Sequence, residues 1–174
     1  MRKITFGGAN SLDNYFARRD HAVDWLRWSD EAAAVTADYW QSIDTVLMGR
    51  KTFEVAQRQN KGQESPFPGI KVYVFSRTLT TAPGATLVSN DAVGFVRDLK
   101  SKPGKDICLM GGGELARPMF EAGLIDEVGF NIHPVLLGSG IPLFHEMKRQ
   151  IDLELLECKP FRNGCVYVKY RVKP

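Results

Sequence analysis

The chain has 174 residues, 44% hydrophobic and 25% charged, the makeup of one globular domain that buries roughly two-thirds of its unfolded surface. Its 23 basic and 20 acidic side chains are spread over the whole length, so the net charge of +3 builds neither a nucleic-acid arm nor a polybasic membrane anchor. That mild excess suits an anionic small molecule at least as well as a polymer. No run approaches the roughly eighteen apolar residues of a membrane span, and the N-terminus enters Ile4, Thr5 and Phe6 without an apolar leader or cleavage site. The expectation is a cytoplasmic protein with no membrane contact. Cys108, Cys158 and Cys165 lie inside apparent strands without C-x-x-C spacing and read as reduced, buried thiols. His21, His133 and His145 are too scattered for a metal site, so no metal is expected.

After the first strand, Ser29 is placed to cap a helix from Asp30 to about Gln41, with Ala33, Ala37 and Trp40 sharing a face. Ile43 to Met48 is a short apolar run of the kind that forms a strand covered on both faces, and a helix opens at Arg50. The stretch from Gln59 to Pro68 is rich in glycine, proline and polar residues and reads as an exposed loop. Lys71 to Phe75 is the next covered strand. Ala92, Phe95, Val96 and Leu99 then fall at i, i+3, i+4 and i+7, an amphipathic helix with Asn90 or Asp91 as its N-cap. Asp106 to Met110 is a third covered strand. The alternation of strand and helix predicts a parallel sheet. The last third changes character, with strands expected over 125–137, 151–161 and 165–172, the final two joined by the hairpin turn Arg162-Asn163-Gly164. An antiparallel pair therefore closes the sheet.

Two strand-to-helix turns carry the chemistry. The first reads Met48-Gly49-Arg50-Lys51-Thr52 and the second Met110-Gly111-Gly112-Gly113-Glu114. A helix that starts just after a strand offers unpaired N–H groups and the positive end of its dipole, and glycine lets a phosphate come close. Either glycine cluster alone reads equally as a tight turn. Both stand at the carboxyl side of parallel strands, where ligands of open α/β sheets bind. Arg50, Lys51 and Thr52 flank the first turn, and Ser76 and Arg77 follow the next strand on the same edge. Arginine binds phosphate through two parallel hydrogen bonds, which makes a 2′-phosphate the natural target and points to NADPH. The run from Gly111 to Ala116 also satisfies G-x-G-x-x-A, the fingerprint of the doubly wound fold, but the mostly strand-forming remainder of the chain leaves no room for that fold's other helices. Pro118 removes a backbone donor early in the helix that this turn opens.

Taken in order, Ser11-Leu12-Asp13-Asn14, Met48 to Thr52, Ser76-Arg77, Gly111 to Leu115, Ile125-Asp126-Glu127 and Pro134 to Gly140 resemble the dihydrofolate-reductase-like superfamily. The closest resemblance is to the reductase domain of the riboflavin-biosynthesis deaminase-reductase and its stand-alone relatives, over nearly the full length. It implies an α/β three-layer fold with a mostly parallel central sheet, flanking helices and an antiparallel C-terminal hairpin. It implies NADPH across the carboxyl ends of the strands, held by Gly49, Arg50, Lys51 and Thr52, by Ser76 and Arg77 at the 2′-phosphate, and by Gly111, Gly112, Gly113 and Glu114 at the pyrophosphate. Homodimers are common among such relatives. The deaminase half, with its zinc motif, is absent.

The same resemblance implies a small-molecule substrate near Asp13, Asn14, Trp25, Leu137 and Gly138, with Asp13 and Asp30 as candidates for positioning or protonating it. Glu31 and Asp24 lie close to Asp30 in sequence, and Arg18, Arg19 and Arg27 are candidates for a substrate phosphate. The activity it implies is hydride transfer from NADPH to a small heterocycle, carbonyl or imine, as in 5-amino-6-(5-phosphoribosylamino)uracil reduction. Dihydrofolate reduction and a non-catalytic dinucleotide-binding module are the alternatives.

Overall fold

The computed structural model describes residues 1–60, 65 and 67–174. The chain runs β1 (Ile4–Ser11), β2 (Tyr15–Ala17), α1 (Asp30–Ser42), β3 (Ile43–Gly49), α2 (Arg50–Gln59), β4 (Lys71–Phe75) and β5 (Thr86–Val88). It continues with α3 (Ala92–Ser101), β6 (Asp106–Met110), α4 (Gly113–Glu121), β7 (Glu127–His133), β8 (Ile141–Pro142), β9 (Leu153–Pro160) and β10 (Val166–Val172). Eight strands form one sheet in the order β5-β4-β3-β6-β1-β7-β10-β9, and β2 and β8 make a separate two-stranded flap. Every neighbour from β5 to β7 is parallel; β10 runs antiparallel to both β7 and β9. The antiparallel C-terminal hairpin expected from Arg162-Asn163-Gly164 is present, with Gly164 at φ 87° and its N–H bonded to the Phe161 carbonyl.

The alternation of side chains along the central strands sorts them between two helical layers. One face sends Ile4, Phe6, Leu47, Ile107, Leu109, Val128 and Phe130 into a core with Val96 and Leu99 of α3 and Met119 and Phe120 of α4. Phe6 is its hub, edge-on to Phe16, Phe120, Phe130 and Phe144 at centroid distances of 5.3 to 6.0 Å. The other face sends Val46, Met48, Val72, Val74 and Cys108 against Phe53 of α2, with Tyr39 and Trp40 of α1 packed alongside. The result is the three-layer α/β arrangement that the resemblance implies.

Some local expectations are revised. The inward stripe of α1 is Ala32, Val35, Thr36, Tyr39 and Trp40, so Trp40 faces inward as expected while Ala37 of the predicted face is exposed. The strand expected over 125–137 is shorter: the Asp126 carboxylate accepts the Ile4 N–H before β7 begins, and Pro134, which lacks a donor, ends it. Cys158 is exposed on the terminal strand β9, while Cys108 and Cys165 are buried. Asn14 takes the left-handed conformation, φ 63°, that an asparagine tolerates in this tight turn. Pro118 does lie inside α4, which begins only at Gly113, so it costs the helix one bond rather than breaking it. Of the loop expected over 59–68, residues 61–64 and 66 lie outside the described residues.

Candidate active site

The carboxyl ends of β1, β3, β4, β6 and β7 open into one cleft of about 1580 Å3. Its wall includes Gly49, Arg50, Lys51, Thr52, Ser76, Arg77, Gly111, Gly112, Gly113 and Glu114, ten residues from three separate turns. What brings them together is the register of parallel strands: Gly49 lies beside Phe75 on β4, and Leu47 beside Leu109 on β6, so the three turns leave the sheet at neighbouring points. The turns also touch. Gly111 has φ 61°, and a Cβ there would come within 2.8 Å of the Thr52 Oγ1, so glycine is required both by conformation and by the close approach of the two turns.

Among the described residues the four helices start in two different ways. The Ser29 hydroxyl caps α1 by accepting from the Ala32 N–H, and the Asp91 carboxylate caps α3 by accepting from the Gly94 N–H. In contrast, the N-cap residue of α2 is Gly49 and that of α4 is Gly112, and neither offers a side-chain cap. Both uncapped N-termini face the cleft, beside the capped start of α3 at Asp91, and both leave backbone donors for an anion. Side chains of the same sign surround them. Among the described residues the wall carries Arg19, Arg50, Lys51, Arg77 and Arg117 against the acids Asp91 and Glu114. Arg50 is tied to Glu54 one turn on at 2.9 Å, which fixes its direction at the surface. The Ser76 Oγ accepts from the N–H groups of Thr78 and Leu79 and so shapes the turn that presents Arg77.

The six residues expected at the substrate end lie elsewhere. Asp13 is not on the cleft wall: its carboxylate accepts from the Ser11 hydroxyl at 2.6 Å and from the N–H groups of Leu137 and Gly138 at 3.1 and 2.8 Å. The Ser11 bond leads in holding its pKa below the usual carboxylate range, desolvation opposes, and the two backbone donors add to the lowering. Asp13 therefore staples the loop after β1 to the loop after β7, and Leu137 and Gly138 are its partners in that staple. Asn14 turns the chain beside it. Asp30 is exposed at the start of α1, and its neighbour Glu31 accepts from the Arg162 N–H at 2.9 Å. Trp25 is buried behind the wall, edge-on to His133 with centroids 5.3 Å apart. Of the three arginines expected to meet a substrate phosphate, Arg18 is paired to Asp24 at 2.6 Å, and only Arg19 lines the cleft.

The groups that line the inner part of the cleft were not singled out by sequence reasoning. They are Thr5, Gly7 and Gly129 on the sheet floor, Tyr39 on α1, Asn131 and His133 on β7, and Tyr167 on β10. His133 is 2% exposed, and its Nδ1 lies 3.0 Å from the Asn131 carbonyl oxygen; because a carbonyl can only accept, Nδ1 carries the proton. Burial pushes the hydroxyls of Tyr39 and Tyr167 up, the latter to about 12, so both stay neutral. The period-2 pattern of β7 would have placed Asn131 and His133 on one face, but nothing in sequence said that this face is open.

The mostly parallel sheet between two helical layers, with an antiparallel C-terminal hairpin and a cleft at its strand ends, has the architecture of the dihydrofolate-reductase-like class. The chain belongs to the RibD C-terminal domain family, whose model matches residues 2–167. It is 34% identical to the protein YyaP of Bacillus subtilis strain 168 over 98% of this chain and 95% of that one. Among solved structures it is similar to a riboflavin biosynthesis protein from Shewanella sp. PV-4, with a TM-score of 0.85 and 26% identity over all of both chains. Dihydrofolate reductase from Enterococcus faecalis, solved with NADP(H), shares the fold at a TM-score of 0.72 and 16% identity over 99% and 97% of the two chains. The Thermotoga maritima diaminohydroxyphosphoribosylaminopyrimidine deaminase/5-amino-6-(5-phosphoribosylamino)uracil reductase does so at 0.72 and 14%, over 99% of this chain and 57% of that one.

Proposed function

We propose that the chain is an NADPH-dependent reductase acting on a small heterocyclic, carbonyl or imine substrate. The observation that carries this reading is the pair of uncapped helix N-termini, α2 at Gly49 and α4 at Gly112, facing one cleft with five basic side chains. Backbone donors of those turns would hold the pyrophosphate. Arg77 would take the 2′-phosphate and supply the preference for NADPH over NADH. When bound, NADPH supplies the hydride. The protein's own part is alignment and exclusion of water: the β2–β8 flap brings Ala17, Ile141 and Pro142 to the cleft wall. His133 is the group placed to move a proton, at Nε2, since its Nδ1–H is committed to the Asn131 carbonyl.

A riboflavin-pathway substrate of the kind named for the Thermotoga enzyme carries a phosphate, which Arg19 and His21 on the outer wall would meet. Dihydrofolate reduction is the weaker reading. It would need a carboxylate on the inner face of α1, and that face is Ala32, Val35, Thr36 and Tyr39. A homodimer would have an edge to use in β9, the terminal strand, which exposes Leu153, Leu155 and Leu156.

The test is consumption of NADPH by the purified protein against a panel of cyclic imines, carbonyls, aminouracils and dihydrofolate. Turnover of an aminouracil or imine with none of dihydrofolate is the expected result. Tight NADPH binding without turnover of any compound would instead favour a non-catalytic dinucleotide-binding module.

A further inference from the structure

The segment that follows β8 lies across the start of α4. Leu143 is buried in the α3–α4 core and its N–H bonds the Asn14 carbonyl at 2.9 Å, while Phe144 is edge-on to Phe6 and Phe130. These two anchors fix where the next residue, His145, stands. A Cβ on Gly113, the first residue of α4, would lie 2.5 Å from the Leu143 carbonyl oxygen and 2.8 Å from the His145 Cδ2. Glycine at that position is what lets the segment close onto the turn. His145 lines the cleft together with Gly111, Gly112 and Gly113.

The imidazole is therefore held at the N-terminal end of α4, where Gly112 offers no side-chain cap and the backbone donors of the turn are open to an anion. Around it the wall carries Glu114 and Arg117 from α4, Arg50 and Lys51 from α2, Arg77 after β4 and Asp91 ahead of α3. Its chain neighbours Glu146 and Lys148 are exposed and off the wall. All three histidines of the chain line the cleft, but they differ in what they meet. His133 has its Nδ1 committed to the Asn131 carbonyl, and His21 belongs to the loop between β2 and α1. His145 is the one set against a glycine turn that opens a helix. Histidine is the side chain whose charge changes between about pH 5 and 8. A phosphate beside it favours the imidazolium, whose charge-assisted hydrogen bond is about twice as strong as a neutral one.

We propose that His145 is a cofactor-binding residue that donates, as the imidazolium, to the dinucleotide pyrophosphate at the α4 turn, so that holding the cofactor is coupled to uptake of a proton. The proposal rests on the reductase reading above. The arginines of the wall keep their charge across this range of pH, whereas the share of the affinity that His145 supplies grows as pH falls through it and shrinks as pH rises.

Histidine Cε1–H signals are followed by NMR across about pH 5 to 9 in the free protein, with saturating NADP+, and with adenosine 2′-monophosphate, which lacks the pyrophosphate. His145→Gln and His21→Gln assign the signals, with thermal melting as the control for folding. NADP+ affinity of the wild-type chain and of His145→Gln is measured at each pH, a comparison that cancels titration of the ligand's own 2′-phosphate. The expected result is a His145 signal whose midpoint moves to higher pH with NADP+ and stays in place with the monophosphate. The wild-type chain should bind NADP+ about tenfold tighter than His145→Gln at about pH 6, narrowing to about twofold at about pH 8.5, as a charge-assisted bond gives way to a neutral one. An unmoved His145 midpoint at full NADP+ occupancy, an equal shift with the monophosphate, or an affinity ratio that is the same at both pH values would each overturn the proposal while leaving the cofactor site standing. Failure of the wild-type chain to bind NADP+ would overturn the reductase reading, and this proposal with it.

Discussion

Residue by residue, the cleft shows positions where only one side chain fits. Gly111 combines a left-handed backbone with a neighbour, Thr52 Oγ1, that leaves no room for a Cβ. Gly111→Ala should therefore destabilise the fold by about 1–3 kcal/mol and weaken dinucleotide binding by at least about tenfold, measurable as a lower melting temperature and a raised Kd. Asn131 is the opposite case. Its Oδ1 has no partner, so Asn131→Leu removes a buried unsatisfied acceptor and should leave stability unchanged or raise it by up to about 1–3 kcal/mol. That the turns at Gly49, Arg77 and Gly111 share one cleft was legible in sequence because each follows the carboxyl end of an expected parallel strand. Asp13 misled because the backbone donors that engage it, Leu137 and Gly138, come from a loop 124 and 125 residues away, and no local pattern announces such a staple.

At the scale of elements, Glu127 opens β7 and ties three strands together, with its carboxylate 2.7 Å from Lys169 on β10 and 3.1 Å from Lys3 just before β1. Burial alone would raise its pKa, but the two lysines outweigh burial and hold it below the ordinary carboxylate value. A depressed folded-state pKa means stability that is present above the unfolded value, about 4.3, and lost as pH falls through the folded one. Glu127→Gln should thus lower the melting temperature at neutral pH and flatten its decline on the acid side below about pH 4, as followed by thermal melts across pH. The three covered strands were legible from their apolar runs, and β4 and β6 have the predicted bounds, Lys71–Phe75 and Asp106–Met110. The short strands β2, β5 and β8 were not, since two or three residues carry no periodicity and form only because a neighbour supplies their hydrogen bonds.

For the whole molecule, the division of labour follows the two faces of the sheet. The α3–α4 face is filled by large apolar side chains and forms the main core. The α1–α2 face is left open at its centre, and the cleft runs from there to the turns that begin α2 and α4. The overall fold was legible because strand–helix alternation ending in a hairpin admits few topologies. The depression at the centre of the α1–α2 face was not, because it is a property of packing among β1, β7, β10 and α1 rather than of any segment. The central claim is that the basic cleft is an NADPH site whose 2′-phosphate contact is Arg77. It is tested most directly by calorimetric titration of the wild-type chain and of Arg77→Ala with NADPH and with NADH. The account predicts NADPH binding at least about tenfold tighter than NADH, as one charge-assisted contact of roughly 1.5–3 kcal/mol requires, with that preference collapsing in the variant. Failure of the folded wild-type chain to bind either nucleotide, or a preference that Arg77→Ala leaves intact, would contradict it.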